Sequence, residues 1–383
     1  MIKGQNYEKK GSLLYLCVNF MKECSNKVSE SVFSALLETL LGGESPGREG
    51  WRMLLSGLDE SQAARVRDAA SAVVRDRFGG GVYVRGLIEI SSYCRNNCYY
   101  CGLRRSNRHA SRYRLTTADV LGCCREGARL GFGTFVLQGG EDEEQDDDWV
   151  EATVRAIRAE FPAQAITLSV GERSREAYRR FREAGADRYL LRHETRNDAH
   201  YACLHPAEMS GAHRRDCLRA LKELGYQVGA GMMVGSPGQT VDHLLDDIAF
   251  LEELRPEMIG MGPFVPAAHT PFARHAAGPV DLTLRLIALM RLRFPDALIP
   301  ATTALATLDG RGREAGLRAG ANVVMPNLSP AAVRGQYSIY DGKASWGSEA
   351  AEGLRLLEQE LNRMGCHIAY GRGDYPGRDC GPK

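Results

Sequence analysis

From Val84 onward the chain alternates short apolar or β-branched runs with amphipathic segments, and this rhythm constrains the fold more than any other feature. Runs bounded by turn residues and separated by helical stretches build parallel sheets through βα units. Eight strand candidates are legible, at 86–92, 134–138, 165–170, 188–193, 227–234, 258–265, 298–304 and 322–325. Helical periodicity fills the intervals at 117–130, 148–161, 174–184, 213–224, 241–254, 282–294 and 313–319, and again at 348–364. Glycines stand where these helices should stop, at Gly131, Gly185, Gly225, Gly320 and Gly365. Eight strands each followed by a helix is the count of a closed (β/α)8 barrel, the TIM barrel; an open doubly wound sheet is the competing arrangement. Before it, 32–41 and 60–78 read as helices joined by a loop with Gly42, Gly43, Pro46 and Gly47. The organisation expected is a poorly determined extension over 1–30, N-terminal helices over 31–83, the barrel over 84–345, and a helix with a tail over 346–383.

The first strand runs into Cys94-Arg95-Asn96-Asn97-Cys98-Tyr99-Tyr100-Cys101, three cysteines within eight residues. Three thiolates on one loop can hold three irons of a [4Fe–4S] cluster and leave the fourth open to another ligand. A structural zinc site would present two separated cysteine or histidine pairs. Cys98 and Cys101 would make one, but no convincing second pair follows. Eleven cysteines among 383 residues do not make a disulfide scaffold. Cys123 with Cys124, Cys203 and Cys217 read as structural, and Cys366 and Cys380 as isolated.

Polar residues and glycines gather just past the strand ends, where a barrel keeps its active site. The second strand ends in Gln138-Gly139-Gly140-Glu141-Asp142, and the acids after it, through Asp148, suit a helix entry. The third carries Thr167 and ends in Gly171-Glu172. Alternation along the fourth puts Arg188, Leu190, Arg192 and Glu194 on one face and Tyr189, Leu191 and His193 on the other. Two arginines and a glutamate facing inward need an anionic ligand or a paired network; His193 reads as a packed histidine. The glycines at 229, 231 and 235 imply a ligand or backbone lying against the fifth strand. Thr302, Thr303, Met325, Tyr337 and Tyr340 fall at or after the last two strand ends.

A net charge of +1 offers no electrostatic case for nucleic acid or an anionic membrane. No apolar run is long enough to span a bilayer. A faint signal-like stretch at 11–21 lacks a clean cleavage site, and a three-thiolate site calls for a reducing compartment, so a cytoplasmic protein is expected. The segment 104–114 holds five arginines and no acid, with only Tyr113 interleaved, which suits neutralisation of thiolates or of an anionic substrate better than nucleic-acid binding.

Cys-x3-Cys-x2-Cys after a strand resembles the signature of the radical S-adenosylmethionine (SAM) enzymes. Longer strings resemble one family within them, HydE, the maturase of [FeFe]-hydrogenase: the cysteine loop through Gly102-Leu103-Arg104-Arg105, Tyr113-Arg114, Val136-Leu137-Gln138 with Gly140-Glu141-Asp142, and 186–195. The similarity continues through 229–235, 262–264, 300–304 and 321–327, covering roughly residues 50–343. It implies that Cys94, Cys98 and Cys101 hold one [4Fe–4S] cluster, and that Gln138, Glu141, Glu172, Glu194 and Arg214 bind SAM. Thr167, Arg188, Arg192, Thr302, Thr303, Met325, Tyr337 and Tyr340 would then bind an anionic substrate, Arg188 and Arg192 would hold its carboxylate, and Tyr337 and Arg192 would lie at the reacting centre. It further implies processing of a cysteine-bound Fe(CO)2(CN) unit in assembly of the hydrogenase H-cluster. The partners it implies are an iron–cysteine or thiol substrate, a ferredoxin or flavodoxin as electron donor, and other hydrogenase maturases. The alternative within the class is a 3-methylornithine synthase-like mutase, which shares the barrel, also lacks a second cluster and would bind an amino acid; a non-catalytic metal scaffold is the reading outside the class. Two departures stand out: Gly139 occupies a position often serine in the family, and 344–356 lacks the cysteines that bind a second cluster in some members.

Overall fold

The computed structural model describes residues 27–343 and 350–376. Three helices lead in: α1 (Glu30–Leu41), α2 (Gly47–Ser56) and α3 (Glu60–Phe78). The second occupies part of the stretch expected to be loop, because Trp51, Leu54 and Leu55 form a buried stripe despite the flanking glycines. A capping box of Asp59 and Gln62 starts α3, which packs on a barrel helix described below.

Strands β1 (Gly81–Val84) and β2 (Gly86–Ser91) follow, the latter ending at the cysteine loop. Then come α4 (Thr117–Arg129), β3 (Thr134–Gly139), α5 (Asp147–Glu160), β4 (Ala165–Ser169), α6 (Arg175–Ala184) and β5 (Arg188–Leu190). Next are α7 (Asp198–Leu204), α8 (Gly211–Glu223), β6 (Gln227–Ala230), β7 (Met233–Val234), α9 (Val241–Leu254), β8 (Met258–Ile259) and β9 (Gly262–Pro263). The described chain closes with α10 (Val280–Arg293), α11 (Thr303–Leu308), α12 (Gly312–Arg318), β10 (Val323–Val324), α13 (Ala331–Arg334), α14 (Ala350–Arg363) and β11 (His367–Ala369). Helix α10 is the one on which α3 packs.

Strands β2, β3, β4, β5, β6 and β8 form one parallel sheet in that order. Parallel bridges from Met258 to Leu298, Pro300 to Val323 and Leu87 to Asn327 carry it round to its start, so the ring closes as a (β/α)8 barrel. The expected seventh strand is the thin stave of this ring. It contributes single bridges at Leu298 and Pro300, and α11 begins at Thr303, because Pro300 has no N–H to continue a ladder. The expected strand at 188–193 stops at Leu190, and the run 227–234 breaks at Gly231.

The acids after β3 work as expected: Asp146 caps α5, with Asp147 and Asp148 in its first turn. The five glycine stops all have positive φ.

The sequence reading missed the sheet at the barrel's amino end. There β1 pairs with both β10 and β11, bringing the C-terminal residues under the barrel floor. The boundary drawn at 84 therefore falls at the end of a strand shared by the barrel and the tail. The 1–30 extension lies almost wholly outside the described residues, as do 344–349 and 377–383, including Cys380.

Candidate active site

The cysteine loop is pinned from several sides. Gly102 N–H donates to Ile339 O (2.8 Å), and Arg95 N–H donates to Glu141 O (2.9 Å). A Cβ at Gly140 would meet Tyr93 O at 2.1 Å and Cys94 Cβ at 2.7 Å, so only glycine lets β3 lie against the thiols. Cys94, Cys98 and Cys101 are free and partly buried. Burial pushes all three thiols up, Cys101 to about 12, and the mutual proximity of Cys101 and Cys94 pushes Cys98 further. Thiols held neutral in this way ionise when cations arrive, which couples loading to proton release. Among the described residues no three His, Cys, Asp or Glu side chains converge on one ion. Three thiols that each take a different iron are the donor set a cubane requires.

Two flanking residues escaped notice in the sequence. His205 Nδ1–H donates to Tyr201 O (3.0 Å), which leaves Nε2 to accept the Tyr100 hydroxyl (3.0 Å) from inside the cysteine loop. Met209 places its Sδ 3.8 Å from Cys98 Sγ. No spacing pattern marks either, since both come from the loop between α7 and α8.

The expected SAM residues Glu141, Glu172 and Arg214 meet in one network. Arg214 Nε lies 2.7 Å from Glu172 Oε1, its Nη2 lies 4.0 Å from Glu141 Oε1, and its Nη1 donates to Arg192 O (3.1 Å). Glu141 also takes Arg95 Nη2 (3.0 Å) and Glu172 N–H (3.0 Å). Glu194 follows β5 with φ 63°, left-handed for a residue with a Cβ. Its Oε1 pairs with Arg192 (3.1 Å), while its Oε2 is buried without a partner. A strained carboxylate with an unpaired buried oxygen fits an ammonium- or hydroxyl-bearing ligand.

Gln138, Glu194, Arg192, Arg214, Thr302, Thr303, Met325, Tyr337 and Tyr340 line one cavity of about 360 Å³ together with Cys98 and Cys101. Thr302 Oγ1 is buried there with no partner. Burial and the nearby Glu89 carboxylate push the Tyr337 phenol well above its ordinary range, and burial takes Tyr340 to about 12, so both stay protonated. A pair the sequence did not flag supports them. Lys343 reaches into the barrel to the Glu89 carboxylate, which also accepts Asn327 Nδ2–H (2.8 Å). The Lys343 ammonium lies 4.8 Å from the Tyr337 ring.

Two expected substrate residues lie elsewhere. Arg188 is 3% exposed and faces the barrel floor, bonded to Asp374 (2.5 Å), Arg372 O (2.5 Å) and Thr134 Oγ1 (2.9 Å). Thr167, its register partner, shares with it a separate void of about 10 Å³ beside Arg85. A strand that runs along the barrel carries its inner face from floor to mouth, and Arg188 stands at the floor. The paired network expected for the inward arginines thus exists, but its acid is in the tail.

His193 is packed as expected: it accepts Gly231 N–H at Nδ1 and donates from Nε2 to Asp247 (3.2 Å). Around the glycines of the fifth strand the close neighbour is the protein itself: a Cβ at Gly231 would meet Gly260 O at 1.9 Å, one at Gly229 the Leu190 side chain at 2.7 Å, and one at Gly235 the Pro279 ring at 2.4 Å. Cys123, Cys124 and Cys217 are buried, Cys203 is exposed on α7, and Cys366 is partly buried.

The barrel, the three-thiol loop at a strand end and the cavity behind it define a radical SAM enzyme, and the Radical SAM superfamily profile matches residues 88–251. The [FeFe] hydrogenase maturase subunit HydE of Thermotoga maritima is 47% identical over 274 residues, covering 72% of this chain and 78% of that protein. The chain belongs to the HydE family, with a [4Fe–4S] cluster and SAM as its cofactors. A 3-methylornithine synthase of Methanosarcina acetivorans is 28% identical over 330 residues, covering 85% of this chain and 91% of that one. The crystal structure of a methylornithine synthase superposes with a TM-score of 0.76 at 27% identity, covering 87% of this chain and 97% of the other.

Proposed function

We propose that this enzyme processes a cysteine-bound Fe(CO)2(CN) precursor during assembly of the [FeFe]-hydrogenase H-cluster, working in the cytoplasm beside other hydrogenase maturases. The carrying observation is the polar end of the cavity. Arg192 has a single carboxylate partner there, and Thr302 keeps an unpaired buried hydroxyl. Such groups suit a small anionic, hydrogen-bonding substrate. When bound, the cluster and SAM supply a one-electron cleavage of the S–C5′ bond, giving methionine and a 5′-deoxyadenosyl radical. Cys94, Cys98 and Cys101 would hold the cluster. Gln138, Glu141, Glu172, Glu194 and Arg214 would hold SAM, with Glu194 Oε2 accepting from its polar groups. Arg192 orients the substrate carboxylate, and Tyr337 and Tyr340 offer protonated hydroxyls while walling off water. Nucleic acid and membranes have no part in this reading; no helix among the described residues is long and apolar enough to cross a membrane.

The similarity to methylornithine synthases over nearly their whole length supports a second reading, a mutase acting on an amino acid. Anaerobic, cluster-reconstituted protein with SAM and reductant separates the two. Consumption of a synthetic iron–cysteine carbonyl cyanide complex coupled to SAM cleavage is expected. Conversion of lysine to methylornithine, with the iron complex untouched, would transfer the assignment to the mutase.

A further inference from the structure

The cysteine loop has two flanks of opposite charge. On one side a hollow is lined by six acids, Glu141, Asp142, Glu143, Asp146, Asp147 and Asp148, against two arginines, Arg95 and Arg173. On the other, neither 94–114 nor 260–280 contains an acid. These two stretches are fastened together: Phe272 N–H donates to Tyr99 O (3.3 Å), the two rings meet edge to face, and His109 stacks on His269 at 3.8 Å. Acids that touch these stretches are already engaged: Asp341 caps Ala268 N–H (2.9 Å), and Asp142 and Glu144 hold Arg114.

The arginines here divide by what they touch. Arg112 is spent inside, donating to Leu103 O and Arg104 O (each 2.9 Å) and to Ser92 O, and so folds the segment against the thiols. Arg114 is held by Asp142 (2.6 Å). Arg104 lies half-buried across the Tyr99 ring. Arg105, Arg108 and Arg274 are exposed, and no ion pair engages them among the described residues. The backbone of Arg105 is tied to the thiol loop nonetheless, because its N–H donates to Asn96 O (2.9 Å) between Cys94 and Cys98.

We propose that Arg105, Arg108 and Arg274 form the docking surface for an acidic one-electron carrier protein that reduces the cluster. This inference rests on the cluster reading above. The carrier's reduced flavin or iron–sulfur centre loses one electron, and the cluster passes from the 2+ to the 1+ level. A charged rim without deep apolar anchors suits a small, transient redox encounter, in which complementary potentials raise the association rate. The acidic flank turns such a carrier away from the other side, so the charge pattern sets orientation as well as rate. Nucleic acid fits less well: the chain's net charge is +1 and Tyr99 and Tyr100, the aromatics at hand, are packed against Phe272 and His205.

The test uses cluster-loaded full-length protein and flavodoxin hydroquinone in a stopped-flow instrument. At low ionic strength the R105E/R108E variant should be reduced about tenfold more slowly or worse, and the gap should close as salt is added. Oxidised flavodoxin should bind the variant more weakly in calorimetry. SAM cleavage driven by the cationic methyl viologen radical should be the same in both proteins. If the charge-reversed pair misfolds, R105Q/R108Q should show the same trend at smaller amplitude. Equal flavodoxin rates in parent and variant at every salt concentration overturn the proposal, as does charge reversal that abolishes binding to duplex DNA and spares flavodoxin. Should the parent fail to cleave SAM with viologen, the cluster reading falls, and the calorimetric binding of oxidised flavodoxin still decides the surface by itself.

Discussion

Arg192 and Arg188 lie two steps of alternation apart on the same stave, yet they serve opposite ends of the barrel. Arg192 opens on the cavity, its side chain 34% exposed and met by one carboxylate. Arg188 is sealed under the floor by Asp374, Gln227, Thr134 and the Arg372 carbonyl. Beside it Arg85 is also fully buried, its charge opposed by burial and by Arg188. Burial works against the Asp374 carboxyl too, but Arg188 and Arg372 hold it far below the ordinary range. Both ends keep buried polar atoms without partners, Glu194 Oε2 and Thr302 Oγ1 at the mouth and Thr167 Oγ1 and Arg85 Nε at the floor, but the floor gives Arg188 four bonding partners where the mouth gives Arg192 one carboxylate. Identical residue types on one face thus divide between chemistry and scaffold according to height along the barrel axis.

The largest way to break this comparison is at the floor. Asp374→Ala takes the carboxylate from the buried Arg188 guanidinium, while Arg372 keeps Asp187; removing one partner of a buried pair costs about 3–5 kcal/mol. Urea denaturation should show that loss, with SAM cleavage per folded molecule preserved. Arg192→Ala should do the reverse, sparing the denaturation midpoint and abolishing substrate turnover. If Asp374→Ala instead silenced turnover at unchanged stability, the floor would belong to the site.

Acid should part the two ends next. Burial lowers His200 from 6.5 to about 4 and His205 to about 3, and both serve the mouth. His200 donates to Pro237 O and accepts from Thr195, while His205 steadies the cysteine loop. Because these folded values lie below the unfolded one, the unfolded chain binds protons first as pH falls from about 6.5 towards 4. The stability present above 6.5 is then lost at about 1.4 kcal/mol per pH unit for each imidazole. Hydrogen exchange between pH 7 and 5 should show the 195–205 region opening before the amides near Gly373. A His200→Gln variant should flatten the slope; an unchanged slope would place the acid sensitivity elsewhere.

The smallest effect sharpens the strain at the mouth. Both Glu194→Gly and Glu194→Ala remove the carboxylate, but only alanine must keep a Cβ at φ 63°. The glycine variant should be more stable by about 1 kcal/mol, with both losing SAM affinity in equilibrium binding. Equal stabilities would mean that the backbone relaxes once the carboxylate is gone.

Much of the mouth was legible in the sequence because its residues sit at strand ends that periodicity locates. The cysteine loop, Gln138, Glu141, Glu172 and Glu194 are all of this kind. The floor was not legible. Alternation tells inward from outward but carries no height, so Arg188 and Arg192 read alike until the chain brings Asp374 beneath one of them. The sheet that delivers it rests on the three-residue strand β11, too short for any pattern to declare. The seventh stave erred the other way: the run at 298–304 reads as a full strand, but only Leu298 and Pro300 make bridges there. Lys343 and His205 stayed hidden because loops alone bring them to their partners.

Gly102 carries a consequence beyond catalysis. A Cβ there would come within 2.2 Å of Ser338 O, so the thiol loop and the segment bearing Tyr337 and Tyr340 are keyed together through one missing methyl group. Neither can drift in sequence alone without jamming the other. Chimaeras that graft a relative's thiol loop should therefore import its tyrosine segment in the same cassette, and lineages should be found to have exchanged the two as a unit.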